Sequence, residues 1–134
     1  MSNRILTEAG WEKRIQDKLG VDPAYLPDEV IRQPDIIGVA EANIIEQIPD
    51  YEELDGDKRT YLESAIVCEC CALLSPTMPV RLPRKESGPH ASHELGIDWD
   101  KKKKDFERER DGYIGKILST SPLLYFGVTS PRRW

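Results

Sequence analysis

The chain has no long hydrophobic run. A membrane-spanning helix needs roughly 18 consecutive apolar residues, and no stretch approaches that. The sequence therefore excludes a helical membrane protein. Its opening, MSNRILTEAGWEKRIQ, lacks the apolar core of a secretory signal. That predicts a protein made and kept in a cytoplasm. Cysteine is scarce, with three residues crowded into positions 68–71. An odd, clustered set does not build a disulfide framework. Histidine is limited to His90 and His93. Also missing are a Gly-rich phosphate loop, a G-x-S-x-G elbow, an H-E-x-x-H helix and a calcium-binding loop. No polar set converges on a reaction, so neither enzyme activity nor a cofactor is expected.

What is present describes a polar, globular chain. Its 134 residues suit one domain with one core. Hydrophobic residues make up 39% and charged residues 32%, which is not the composition of a disordered chain. The net charge of −5 is unevenly spread. Residues 1–75 carry 16 acidic and 7 basic side chains; residues 76–134 carry 8 and 12. An acidic half joined to a basic half suits contact between copies of one chain. It is equally compatible with incidental surface charge.

Helical signals dominate. In TEAGWEKRIQDKLG, Thr7 is placed to cap a first helix, with Glu8 in its first turn. Trp11, Ile15 and Leu19 share one face, and Gly20 can end the helix. VDPAYLPDEVIRQP holds three prolines and reads as a connector, with one short turn at Asp28 to Ile31. Pro34 fits the first position of a second helix. Its apolar stripe is Ile37, Ala40, Ala42, Ile44 and Ile48, with Glu41 and Glu46 placed outside it; Pro49 stops it. A third helix spans about Asp57 to Leu74 and is apolar on most sides, as a central helix is. In residues 75–97, Pro76, Pro79, Pro83 and Pro89 predict a long loop instead of a regular helix. Asp98 caps a last helix whose Trp99, Phe106 and Tyr113 recur every seven residues, joined by Ile114, Ile117 and Leu118. Residues 119–134 form an extended tail, strand-like over Leu123 to Thr129. The predicted fold class is mainly α: a single domain over residues 1–134, a small bundle of about four helices, a long loop before the last one and an extended C-terminal tail.

The third helix contains VCECCALLS. Cys68 and Cys71 give C-x2-C, and His90 and His93 follow eighteen residues on as H-x2-H. On paper this resembles a tetrahedral zinc set. Three facts oppose that reading. The pair lies inside a helix, not on a tight turn. Its surroundings are apolar, where a thiolate is costly without metal. Helix geometry also puts Cys68 and Cys71 about 60° apart but Cys70 about 160° from Cys68. Core packing of three free thiols is the stronger reading, and no metal is expected. A thioredoxin-like site fails because no strand precedes the pair and it lies deep within the helix. A Cys–His nucleophile pair would need a core cysteine to reach a loop histidine. Asp55-Gly56-Asp57 reads as a turn and helix cap. KKKKDFERER balances four lysines against Asp105, Glu107, Glu109 and Asp111, so it reads as a solvated helix face and not a nucleic-acid stripe.

Two features have no core explanation. One is the basic, proline-spaced loop with Arg81, Arg84 and Lys85. The other is the tail LLYFGVTSPRRW, carrying Leu124, Tyr125, Phe126, Arg132, Arg133 and Trp134. Exposed apolar segments of this kind serve as interfaces or add a strand to a partner. The plainer alternative is that Leu123 to Phe126 folds back onto the bundle.

The order of parts resembles the head–tail connector (adaptor, or head-completion) proteins of tailed bacteriophages. The resemblance covers roughly Pro34 to Leu118: an AEANIIEQI-type helix, the central KRTYLESAIVCECCALL helix, a long loop, and a helix opening IDWDKKKKDFERERDGYIGKI. It carries no catalytic signature, and the CECC cluster is not part of the family pattern. The resemblance implies a structural virion protein, assembled in the bacterial cytoplasm. Such proteins form a ring beneath the portal protein and dock a downstream stopper or tail-completion protein. DNA passes through without sequence-specific binding, and no membrane is involved. Carried onto this chain, the partner-binding segments are Arg81 to Lys85 and Leu123 to Trp134. The charge split then suits a head-to-tail contact that closes by rotation, and an acidic lumen would let DNA slide. The alternative is a small cytosolic helical domain that binds or regulates another protein, with or without a stabilising zinc.

Overall fold

The computed structural model describes residues 3–82 and 97–118. Every regular element among them is helical, and four helices make up the bulk. The expected loop over 75–97 is described only at its two ends, and the expected tail over 119–134 lies outside the described residues.

Helix α1, Trp11–Leu19, begins at Gly10 and not at Thr7. Gly10 has φ 85°, a left-handed conformation that a helix cannot continue through. The Thr7 N–H instead bonds the Ile5 carbonyl at 3.0 Å, and the Trp11 N–H bonds that of Glu8 at 3.2 Å. The far end is a Schellman closure. Gly20, φ 73°, donates to Asp17 O at 3.1 Å, and Val21 donates to Gln16 O at 3.1 Å. The proline-rich connector holds the single short helix expected of it, α2, Asp28–Ile31. Gln16 Nε2 fastens it to α1 by donating to Leu26 O at 2.9 Å and Asp28 Oδ1 at 2.8 Å.

Pro34 opens a π-turn over Pro34–Gly38 that runs into α3, Val39–Gln47. Ile37, Ala40, Ile44 and Ile48 are buried, as their spacing predicts. Two neighbours differ from expectation. Ala42 is exposed, and Glu41 is buried. At 100° per residue Ala42 turns about 140° away from Ile37, while Glu41 stays within about 40° of it, on the inward face.

Helix α4, Gly56–Leu74, is the centre of the bundle and packs on α1, α3 and the last helix. Its Leu62, Ala65, Ile66, Cys70, Cys71 and Leu74 are all fully buried. The helical path then continues past Pro76 and Pro79, where the prolines predicted a loop. A 3-10 turn spans Ser75–Thr77 and α5 spans Met78–Arg81. Each proline sits in the first turn of its new segment, where its missing N–H would have had no intrahelical partner.

Helix α6, Trp99–Leu118, is capped by Asp98, whose Oδ1 accepts from the Lys101 N–H at 3.0 Å. Trp99, Phe106, Ile114 and Ile117 are buried and Tyr113 is half-buried. Leu118 is exposed, not part of the seam, because it lies about 100° around the helix from Trp99. α6 runs antiparallel to α4. Tyr113 stacks on Tyr61 near one end, with ring centroids 6.0 Å apart, and the Ser75–Thr77 turn packs on α6 towards the other.

Candidate interaction site

The antiparallel α4–α6 pair converts the charge split along the sequence into a split along an axis. At the N-terminal end of α4, Asp50, Glu52, Glu53, Asp55 and Asp57 are all exposed, and Glu46 precedes them. A 3-10 turn over Tyr51–Glu53 carries Glu52 and Glu53 just before α4, and Asp57 lies in the first turn of α4 itself. Lys58, Arg59 and Lys116 are cations nearby; Arg59 is paired with Glu63 at 3.2 Å, and Lys116 Nζ sits 5.1 Å from the centre of the Tyr61 ring. At the opposite end, about 28 Å along a 19-residue helix, lie Arg81 and Lys101 to Lys104. Lys101 pairs with Asp105 at 3.2 Å and Lys103 with Glu107 at 2.6 Å along the same helix. Among the described residues, no carboxylate pairs with the exposed Lys102 or Lys104. Asp98 and Asp100 offset part of this charge. The bundle therefore has an acidic pole and a weaker basic pole. Lys101 to Lys104 do form a solvated helix face, as their balanced sequence predicts.

Of the residues singled out in the sequence for partner binding, one is described. Arg81 is half-buried, and its Nε donates to Thr77 Oγ1 at 3.0 Å. Arg84, Lys85, Leu124, Tyr125, Phe126, Arg132, Arg133 and Trp134 lie outside the described residues, as do His90 and His93.

The three cysteines are buried free thiols. They divide between faces, as helix geometry requires. Cys71 Sγ points at the Ile15 carbonyl of α1, 3.8 Å away. Cys68 lines a cleft of about 190 Å³ together with Arg14, Lys18, Ser64, Val67 and Tyr113. Burial, with Glu109 nearby, pushes the Cys68 thiol from 9.0 up to about 12. Burial likewise raises Cys70 and Cys71. These thiols are poor nucleophiles. Under native conditions at neutral pH, a thiol reagent should modify them on the order of 100-fold more slowly than in denaturant, where all three should react. Rapid native labelling would contradict the burial. The raised values also set a pH dependence. Below about pH 9 the thiols are neutral in both states and their contribution is complete. Between about pH 9 and 12 the unfolded thiols ionise first, so stability should fall. Replacing Cys68, Cys70 and Cys71 with Ala should flatten that alkaline decline, as read by urea unfolding at stepped pH.

Three of the polar side chains lining the cleft are held by neighbouring carboxylates. Arg14 Nη1 bonds Glu63 Oε1 at 3.0 Å, Lys18 pairs with Glu109, and the Tyr113 hydroxyl donates to Glu109 at 3.3 Å. Burial is the largest influence and opposes the Lys18 charge, but the bond to Glu109 together with the surrounding negative charge outweighs it and raises the ammonium pKa. The other inward carboxylates are structural as well. Glu12 accepts from Arg32 Nε, and Glu69 accepts from Asn43 and Arg110. Burial opposes the Arg110 charge too, and its bonds to Glu69 and Asp111 hold the guanidinium above its usual pKa. Glu41 accepts three main-chain N–H bonds, from Arg4 at 2.9 Å, Ile5 at 2.8 Å and Leu6 at 3.1 Å. Among the described residues, these inward groups tie one part of the chain to another. None of the described helices is long and apolar enough to cross a membrane.

Glu41, Glu69 and Arg110 were not singled out by the sequence. The signal for two of them was available. Glu41 falls four residues after Ile37 and three before Ile44, and Arg110 falls four after Phe106 and four before Ile114, both within apolar stripes. No protein-family model, curated protein or solved structure matches the chain.

Proposed function

We propose that this protein is a structural subunit of a tailed-phage neck, a non-enzymatic adaptor that assembles into a ring between portal and stopper or tail-completion protein. The observation that carries this reading is the separation of charge to opposite poles of the helical bundle. A chain with complementary poles favours heterologous contact, acidic end on basic end, and such a contact closes into a ring when its rotation allows. Arg81, Arg84, Lys85 and the segment Leu124 to Trp134 are the proposed contacts with the portal and neighbouring subunits. DNA passes the ring without sequence-specific binding, favoured by an acidic lumen.

Sizing and negative-stain imaging, alone and with a portal protein, test this directly. Rings are expected at low salt. They should weaken at about 1 M salt, where charges are screened beyond roughly 3 Å. Assembly untouched by salt would sink the electrostatic contact, and a lysine-lined lumen would sink the proposed passage. Lys102→Glu with Lys104→Glu should abolish assembly while leaving the fold intact, because both side chains are exposed. Adding Glu52→Lys and Glu53→Lys in the same chain should restore it. No ring in any of these conditions, with portal present, overturns the proposal.

A further inference from the structure

We propose that the site on α3 and α4 that holds residues 3–6 is an exchange site, able to take the same segment from a second copy of this chain. The site's chemistry is visible because it is occupied. Glu41 of α3 accepts three successive main-chain N–H groups, those of Arg4, Ile5 and Leu6. From α4, Arg59 Nη2 donates to the Ile5 carbonyl at 3.0 Å. The Ile5 and Leu6 side chains are only 1% and 2% exposed and belong to the main core. This is peptide recognition in full: a carboxylate and a guanidinium read the main chain, and two apolar sockets read adjacent side chains.

The link from this anchor to the body is of a different kind. Thr7, Glu8, Ala9 and Gly10 are all exposed. Their main chain is folded into turns, with Gly10 at φ 85°. Opened out, four residues span about 13 Å, enough to pass the anchor to an adjoining molecule. Every anchor contact would reform there unchanged, since donor and acceptor sequences are identical. Exchange of an identical element is a low-cost route to association. In an assembly, the local concentration of neighbouring sites would favour it further. The inference stands on the anchor and its link alone and does not need a ring; a dimer would serve.

The test uses the full chain with a photo-reactive benzoylphenylalanine in place of Arg4, whose side chain is exposed. Equal amounts of 14N- and 15N-labelled protein are refolded together from urea at up to about 1 mM, the scale of local concentration in an assembly, then irradiated. Crosslinks from position 4 to residues 38–45 are read by mass. Mixed-isotope pairs that increase with protein concentration are expected. Gly10→Ala should raise the mixed fraction roughly fivefold, because a Cβ at positive φ penalises the closed link and not the open one. The space around Gly10 is empty, so the substitution adds strain without a clash. Only same-isotope pairs, in both the parent and the Gly10→Ala protein, would overturn the inference. So would mixed pairs that persist after Ile5→Ser with Leu6→Ser, since the contact would then come from another surface.

Discussion

Replacing Glu41 with alanine is expected to cost about 3 kcal/mol of folding stability, among the largest effects of any single substitution in this chain. The carboxylate is 3% exposed and is the acceptor for three backbone donors. Charge-assisted hydrogen bonds are worth roughly 1.5–3 kcal/mol each, and a stranded buried donor costs about 1–3 kcal/mol. Summing these would overstate the loss, because the chain has an escape. The segment 3–6 can detach and hydrate its N–H groups, giving up instead the burial of Ile5 and Leu6, about 1.5–3 kcal/mol each. The smaller of the two penalties sets the result. Glu41→Gln should cost somewhat less, about 2 kcal/mol, since its amide oxygen still accepts while its NH2 opposes a donor. Urea unfolding measures both changes. Hydrogen exchange distinguishes detachment from global loss: the Ile5 and Leu6 amides should lose protection while α4 amides keep theirs. A Glu41→Ala protein as stable as the parent would show that the carboxylate does not hold the segment.

Glu41 also shows where the sequence could and could not be read. Apolar spacing located α1, α3, α4 and α6 because core burial follows helical periodicity, and the central α4 is the one segment apolar on nearly every side. The burial of Cys68, Cys70 and Cys71 followed from the same argument. Charged residues inside an apolar stripe were assigned to the surface by their chemistry, although their angle put them inside. Position won for Glu41 and Arg110 because each found a partner from a distant part of the chain. Such pairing over 35 or more residues has no local signature. Two boundaries were also hidden. Thr7 has the right side chain for a cap, but Gly10 took a left-handed conformation and moved the start of α1. Pro76 and Pro79 break one long helix, yet each can begin a short one, so the path stayed helical to Arg81. The poles of the proposed interaction were half-visible. The sequence showed an acidic and a basic half, but only the antiparallel packing of α4 and α6 turned those halves into ends.

Breaking the Glu69–Arg110 tie from one side should cost about 2–3 kcal/mol, whereas replacing both partners together should cost under about 1 kcal/mol. Glu69 Oε1 accepts from Arg110 Nη1 at 2.6 Å and Oε2 from Asn43 Nδ2 at 2.8 Å, so one carboxylate joins α3, α4 and α6. The Glu69 side chain is 6% exposed and that of Arg110 20%. Removing one member of a buried pair leaves the other charge desolvated, typically a loss of about 3–5 kcal/mol. Glu69→Met should cost the less of the two, about 2 kcal/mol, because Arg110 keeps Asp111 at 2.8 Å and some contact with water. Arg110→Met strands Glu69 more completely, with only Asn43 left to satisfy it, and should be the worse of the two single changes. Glu69→Met with Arg110→Met removes both desolvation costs and fills the space with apolar side chains of similar length, and exposed Asn43 can turn to solvent. The double-mutant cycle should therefore give a coupling of at least about 2 kcal/mol, far above the roughly 0.3–0.5 kcal/mol of purely local additivity error. Additive single effects would mean that the two side chains act separately and that apolar packing alone sets how α6 sits on α4. Strong coupling would make this ion pair the element that fixes α6 on α4, and with it the spacing of the two charged poles.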